Sequence, residues 1–121
     1  MIAALLMLAA ASAPPVVLEC PAVAGERLVY INIFDGPPEQ DADLAPDTTM
    51  RPAPGKLSNV WKLDAGSDKG IFVKCAYGTK LAGPYSRLET IHLPETVKGC
   101  RADYQSGSKP DDLTLTHFSC R

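Results

Sequence analysis

Residues 14–121 of this chain are predicted to form one all-β domain, a small antiparallel sheet curled into a barrel or sandwich of five or six strands. Two observations favour this fold class. Strand-sized segments recur between polar turns, and no segment after the N-terminal region has helical periodicity. A chain of 121 residues leaves no room for a second independent core.

The N-terminal residues have the pattern of an export signal. Residues 2–11 form a run of helix-forming apolar residues, and small residues follow it, although no Lys or Arg precedes it. The run is too short to span a bilayer core of about 30 Å. We therefore expect a signal peptide over residues 1–13, cleaved near residues 11–13. The mature chain should lack an integral membrane segment and be periplasmic or secreted.

The four cysteines predict two disulfides. Cys20, Cys75, Cys100 and Cys120 are an even set in a short chain, and no two of them form the C-x-x-C spacing of zinc or redox sites. Four cysteines allow three pairings. We favour the nested pairing, Cys20 with Cys120 and Cys75 with Cys100, because the termini of compact domains often lie close together.

The first predicted strand covers residues 27–34. Its β-branched residues Val29, Ile31 and Ile33 share one face, which we expect to point into the core. The sequence Asp-Gly-Pro-Pro over residues 35–38 then ends the strand, because proline cannot donate to a ladder.

Residues 39–55 are predicted to form a long surface loop. They contain several turn-forming residues and no periodic apolar pattern, and loops of this length often carry function. Asp41, Asp43 and Asp47 lack the spacing of a calcium-binding loop. We interpret them as solvated carboxylates on this loop.

Residues 56–63 and 71–77 are predicted to pair as a hairpin. Both segments alternate apolar and polar residues, and residues 64–70 between them supply glycine, aspartate and serine suited to a turn. Trp61 lies on the apolar face of the first strand. We expect it to lie in the core near Cys75.

The rest of the chain predicts shorter elements. Residues 88–93 form a strand that Pro94 ends, and residues 113–120 form the last strand, with alternating Leu and Thr. Between them, residues 95–104 indicate a short strand or a single helical turn, and residues 105–112 indicate a polar turn.

The order of several short motifs resembles a protein family. These motifs are Cys20-Pro21, Phe34-Asp35-Gly36-Pro37-Pro38, Trp61-Lys62-Leu63, Cys75-Ala76-Tyr77 and the late Cys100. They look like a widespread group of short, uncharacterised exported proteins of Gram-negative bacteria. The resemblance implies a periplasmic location and a disulfide-stabilised β fold, and it implies no activity.

A looser similarity is to the periplasmic inhibitors of c-type lysozyme, which are short, exported, disulfide-containing β barrels. Trp61 and the pair Lys69-Gly70 carry it, while the Tyr and Gly expected upstream of the tryptophan are missing. This similarity implies an inhibitor whose loops enter the cleft of an enzyme.

The residue pattern does not support catalysis. His92 and His117 each stand alone in a predicted strand, and the usual nucleophile and metalloenzyme motifs are missing. We therefore expect no catalytic residue, no metal ligand and no cofactor. A formal net charge of -2 gives no field that would attract nucleic acid.

The chain is accordingly predicted to be a non-enzymatic binding protein whose partner is a protein or an envelope component. The alternative is an inhibitor or immunity protein that acts on a lysozyme-like cell-wall hydrolase. Trp61 fits the core best, with an aromatic anchor for a partner as the other interpretation. The predicted binding surface lies beside the hairpin and the acidic loop and comprises Asp41, Asp43, Asp47, Trp61, Asp68, Lys69 and Tyr77.

Overall fold

Two antiparallel sheets make up the fold in the computed structural model, which describes residues 17–64, 67–109 and 112–121. The strands are β1 (Leu28–Asp35), β2 (Thr48–Met50), β3 (Lys56–Lys62), β4 (Ile71–Gly78), β5 (Tyr85–Leu93), β6 (Gly99–Ser106) and β7 (Leu113–Cys120). The strand orders are β1-β4-β5 in the three-stranded sheet and β2-β3-β6-β7 in the four-stranded sheet. The sheets form a sandwich, which confirms the predicted fold class.

The predicted signal peptide, residues 1–13, lies outside the described residues. Within those that the structure does describe, no helix has the length and apolar character needed to cross a membrane.

The core lies between the inner faces of the two sheets. Val29, Ile31 and Ile33 are at most 3% exposed, as their alternation predicts. Trp61 is 5% exposed and comes from the opposite sheet, so the interpretation of Trp61 as a core residue is confirmed. The buried inner face of β4 carries Cys75 and places it in the same cluster.

The predicted hairpin of residues 56–63 and 71–77 is wrong, because its two strands belong to different sheets. β3 pairs with β6, so Trp61 lies opposite Cys100, whereas β4 lies between β1 and β5. β3 ends at Lys62 in the four-stranded sheet, and β4 begins at Ile71 in the three-stranded sheet. The Leu63 N–H donates to the Lys98 carbonyl at 2.8 Å, which holds the start of the crossing on the four-stranded sheet. Turn-forming residues serve a sheet-to-sheet crossing as well as a hairpin, so their presence does not distinguish the two.

The predicted loop of residues 39–55 contains a strand, and the strand count of five or six is therefore too low. Thr48, Thr49 and Met50 form β2, which pairs with β3. All three side chains are exposed, so an apolar alternation could not mark them. The ambiguous segment of residues 95–104 contributes the start of β6, a strand and not a helical turn.

All four cysteines form disulfides, but the nested pairing is wrong. The bridges join Cys20 to Cys75 and Cys100 to Cys120. Cys100 and Cys120 lie directly opposite each other on β6 and β7, with a Cα–Cα distance of 4.0 Å. The described end regions do meet, since Leu18 pairs with Cys120 through two backbone hydrogen bonds of 2.8 Å. Cys120 nevertheless does not bond to Cys20, because its sulfur is bonded to Cys100 on the adjacent strand.

Residues 17–21, the N-terminal segment, connect the two sheets. Leu18 is hydrogen-bonded to the end of β7 in the four-stranded sheet. Two residues later, Cys20 is bonded to Cys75 in the three-stranded sheet, and the Tyr77 hydroxyl donates to the Pro21 carbonyl. The segment therefore holds one open end of the sandwich together.

Candidate functional site

A cavity of about 300 Å³ opens where the edge of β1 faces β3 across the sandwich. We call it the edge cleft. Its polar lining consists of Tyr30, Asn32, Asp43, Asn59 and Tyr104. Trp61 and Ile31 contribute apolar lining from opposite sheets.

The segment that carries Asp43 is held against the edge of β1 by backbone hydrogen bonds. The Asp35 N–H donates to the Ala42 carbonyl at 2.9 Å, and the Leu44 N–H donates to the Ile33 carbonyl at 2.8 Å. The Leu44 carbonyl then accepts a hydrogen bond of 2.9 Å from the Trp61 indole. These bonds fix the Asp43 carboxylate at the mouth of the cleft.

A chain of hydrogen bonds runs along one wall of the cleft. The Asn32 side-chain amide donates to the Asp43 carboxylate at 3.0 Å and to the Tyr30 hydroxyl at 3.1 Å. Asn32 therefore acts only as a donor in these contacts. One Asp43 oxygen and further lone pairs on the other stay available to a donor from outside.

Tyr104 lies deeper in the cleft and is 7% exposed. Burial, together with the neighbouring Tyr30, raises the pKa of its phenol to about 12. Among the described residues, the Tyr104 hydroxyl has no hydrogen-bond partner, although the adjacent Asn59 side chain accepts a bond of 2.8 Å from Thr49. The hydroxyl is neutral at physiological pH and can donate a hydrogen bond to, or accept one from, a group in the cleft.

A second cavity of about 600 Å³ lies beside the crossing between the sheets, and we call it the crossover cavity. Asp68, Lys69 and Glu95 place charges around an apolar side that includes Val97. His92 also lines it and stacks on Phe72, with ring centroids 4.3 Å apart. The cavity mixes both signs of charge at its rim.

The structure separates the predicted binding residues into different places. Asp43 and Trp61 line the edge cleft, while Asp68 and Lys69 line the crossover cavity. Tyr77 is only 1% exposed and its ring belongs to the core.

The other two predicted aspartates serve the local backbone. Asp41 ends a short 3-10 turn with a φ of 58°, and its N–H donates to the Pro38 carbonyl. Asp47 accepts a hydrogen bond of 2.6 Å from the Lys62 N–H. Binding by the predicted set stays a prediction.

Sequence reasoning did not assign Tyr30, Asn32, Asn59 or Tyr104 to a site. One signal was available, since Asn59 is the polar member of the otherwise apolar face of residues 56–63. A polar amide on such a face needs hydrogen-bond partners, which often marks a polar site. In the described part of the chain, no group of three or more His, Cys, Asp or Glu residues is arranged to hold a metal ion.

Comparison with known proteins gives one family. The sequence model described as "Type VI secretion system Tli immunity protein" matches residues 22–121, which is most of the chain. No curated protein and no solved structure matches the chain.

Proposed function

This chain belongs to the type VI secretion system Tli immunity protein family, and from that premise we propose that it is an immunity protein that binds and neutralises a type VI secretion effector. The family match over residues 22–121 is the observation that carries the proposal. Neutralisation by binding requires no chemistry of its own. The proposal therefore includes a protein partner and excludes a catalytic residue, a cofactor and a metal ion.

The architecture supports such a role. A sandwich closed by two disulfides is a rigid scaffold, and rigid scaffolds hold binding loops in place at a low entropic cost. Both disulfides also require an oxidising compartment during folding. We propose that the protein acts in the periplasm or is secreted, and that residues 1–13 direct its export.

The chemistry of the effector is a separate question. A lysozyme-like cell-wall hydrolase is the narrower hypothesis, and purified mature protein added in molar excess to such hydrolases tests it. Loss of hydrolysis supports it, and full activity removes it while leaving the immunity proposal in place.

A contact-killing assay tests the immunity proposal. The gene is deleted from a strain with an active type VI apparatus, and the deletion strain is mixed with its parent. We expect the deletion strain to lose viability beside the parent and to survive beside a parent whose apparatus is inactivated. A plasmid copy of the full chain should restore survival, and a copy without residues 1–13 should not.

Equal survival of the deletion strain and the complemented strain beside an active parent would contradict the proposal. Rescue by the copy without residues 1–13 would instead contradict the proposed location and leave the immunity role standing.

A further inference from the structure

We propose that the edge cleft receives an arginine side chain of the effector, with the Asp43 carboxylate as its counter-charge. This inference rests on the immunity function proposed above and specifies the partner chemistry that the surface recognises.

The hydroxyl of Tyr104 at the cleft is the first observation. Its side chain is 7% exposed, it lines the cleft, and no described residue bonds its hydroxyl. The hydroxyl oxygen is not among the buried side-chain atoms of the described residues that lack a partner, so it is open to the cleft. A polar group that enters the cleft from a partner can therefore bond to this hydroxyl.

The charge at the cleft mouth is the second observation. Residues 36–50 contain four acidic side chains and no Lys or Arg. The ion pairs formed by the described residues are Arg87–Glu89, Arg101–Asp103 and His117–Glu19, so none of them neutralises this segment. Asp43 lines the cleft, and in the part of the chain that the structure describes its carboxylate accepts a hydrogen bond from the neutral Asn32 amide and forms no ion pair. The mouth therefore favours a cation.

The edge of β1 adds a backbone acceptor. The outward-facing positions on this edge include Ile33 and Asp35, since both bond to residues 42–44. Strand periodicity then places the N–H and C=O of Ile31 on the same free edge, within the lining of the cleft. Acceptors consequently face the cleft from the carboxylate of Asp43, the hydroxyl of Tyr104 and the carbonyl of Ile31.

Arginine fits this arrangement better than lysine. A guanidinium presents five N–H donors in one plane, so it can reach acceptors on different walls at the same time. It also stacks on aromatic rings, and Tyr30, Trp61 and Tyr104 all line the cleft. The ammonium of lysine is compact and more strongly hydrated, and it would leave some of these acceptors without a partner.

The contact-killing assay described above, repeated with variants, tests the cleft in the full chain. Asp43→Asn keeps the size of the side chain and an acceptor for Asn32 but removes the charge. We expect it to weaken binding of the effector roughly tenfold or more, as removal of one charge of an interfacial ion pair does, and survival should fall with the lost binding. Tyr104→Phe should reduce survival by a smaller factor. The control variant Asp112→Asn removes one exposed acid from the turn before β7 and should leave survival unchanged.

The outcomes separate the two proposals. If wild-type protein does not protect, the immunity function fails. If wild-type protein protects and both Asp43→Asn and Tyr104→Phe protect equally well, only the arginine inference fails. Loss of protection in Asp112→Asn as well would show a general dependence on charge and would also overturn the inference.

A direct measurement does not depend on the effector or on the stability of the variants. Isotope-labelled wild-type protein is titrated with a blocked arginine, and then with the blocked neutral analogue citrulline, while the NMR signals of the side-chain amides are followed. We expect saturable shifts at Asn32 and Asn59 with arginine and smaller, unsaturated shifts with citrulline. Equal responses to the two probes, or no response at either amide, would overturn the inference.

Discussion

Tyr104 and Asp103 are adjacent on β6, and because strand side chains alternate they have opposite surroundings. The Tyr104 ring points into the core and the edge cleft, whereas Asp103 points outward, where Ser58 and Arg101 contact it. Each residue therefore gives the stability of the fold a pH dependence of its own, one at alkaline pH and the other at acidic pH.

Tyr104 should make the protein less stable at alkaline pH. Its pKa of about 12 in the folded state lies above the ordinary value of 10.0. The group therefore contributes stability that is complete below about pH 10 and is lost as the pH rises through about 12. We expect the melting temperature of wild-type protein to fall more steeply over this range than that of Tyr104→Phe. Identical slopes would contradict the buried position of the phenol.

Asp103 should make the protein less stable in acid. Burial alone would raise the pKa of its carboxyl, but hydrogen bonds from Ser58 at 2.6 Å and Arg101 at 2.8 Å, together with the Arg101 charge, outweigh burial and lower the pKa. A lowered pKa gives stability that is present above the ordinary value of 3.8 and is lost as the pH falls below it. The melting temperature of Asp103→Asn should therefore depend less on pH in this range than that of wild type.

The measurement for Asp103 is thermal unfolding from neutral to acidic pH, with the exposed Asp112→Asn as the control. The control should keep the wild-type pH dependence. If both variants change the slope equally, the effect belongs to net charge and not to the contacts of Asp103.

At the scale of the elements, the crossing between the sheets depends on the turn before β4. Gly70 has a φ of 84°, which favours glycine, and its carbonyl accepts a 2.7 Å hydrogen bond from the Gly36 N–H at the end of β1. A Cβ atom at this position would lie 2.6 Å from Nε2 of His92. The turn is therefore restricted by its backbone and by its neighbour.

Gly70→Ala should destabilise the protein by about 1–3 kcal/mol, because strain at positive φ and a steric clash act together. Gly25→Ala is the matched control, since Gly25 has a φ of 76° and a Cβ there would meet no atom within 4 Å. We expect chemical denaturation to show a smaller loss for the control. Adding His92→Ala to Gly70→Ala should recover the part of the loss that is due to the clash. Equal losses for the two glycine variants would exclude the clash.

The sequence predicts the positions of most strands better than it predicts their partners. Alternation identified the inner face of β1 through Val29, Ile31 and Ile33, because burial on one side leaves a period of two. It could not place β3 and β4 in different sheets, since an apolar face fits either layer of a sandwich. It also missed β2, whose exposed side chains carry no apolar signal.

Most of the edge cleft could not be predicted either, because apolar alternation does not show which strands meet in the fold. Its polar residues come from β1, the acidic segment, β3 and β6, which are distant in the sequence and meet only through the packing of the two sheets. Asp43 was predicted from local charge alone. Tyr104 has no feature in the sequence that distinguishes it from a core aromatic, because the position of its hydroxyl at the cleft is a property of the folded protein.

At the scale of the whole molecule, the two disulfides connect different parts of the fold. Cys100–Cys120 joins neighbouring strands of one sheet, across a separation of 20 residues. Cys20–Cys75 attaches the N-terminal segment to the other sheet, across a separation of 55 residues. Of these two bridges, only Cys20–Cys75 helps to connect the two sheets. It bonds β4 of the three-stranded sheet to the N-terminal segment, whose Leu18 is hydrogen-bonded to β7 of the four-stranded sheet.

Replacing Cys20 and Cys75 together by serine should cost more stability than replacing Cys100 and Cys120. Loop entropy alone gives a loss of about 4 kcal/mol for the longer loop and about 3 kcal/mol for the shorter one. The first variant also loosens the attachment of the N-terminal segment. Urea unfolding of both double variants measures the difference, and a greater loss for the Cys100 and Cys120 variant would contradict it.

The order of the bridges along the chain has a consequence for biogenesis. A chain that is exported N-terminus first delivers Cys20 and Cys75 to the oxidising compartment before Cys100 and Cys120. The bridges join the first cysteine to the second and the third to the fourth, so oxidation during translocation can produce the native bridges directly. Maturation should then require a thiol oxidase and proceed at full yield in cells that lack a disulfide isomerase.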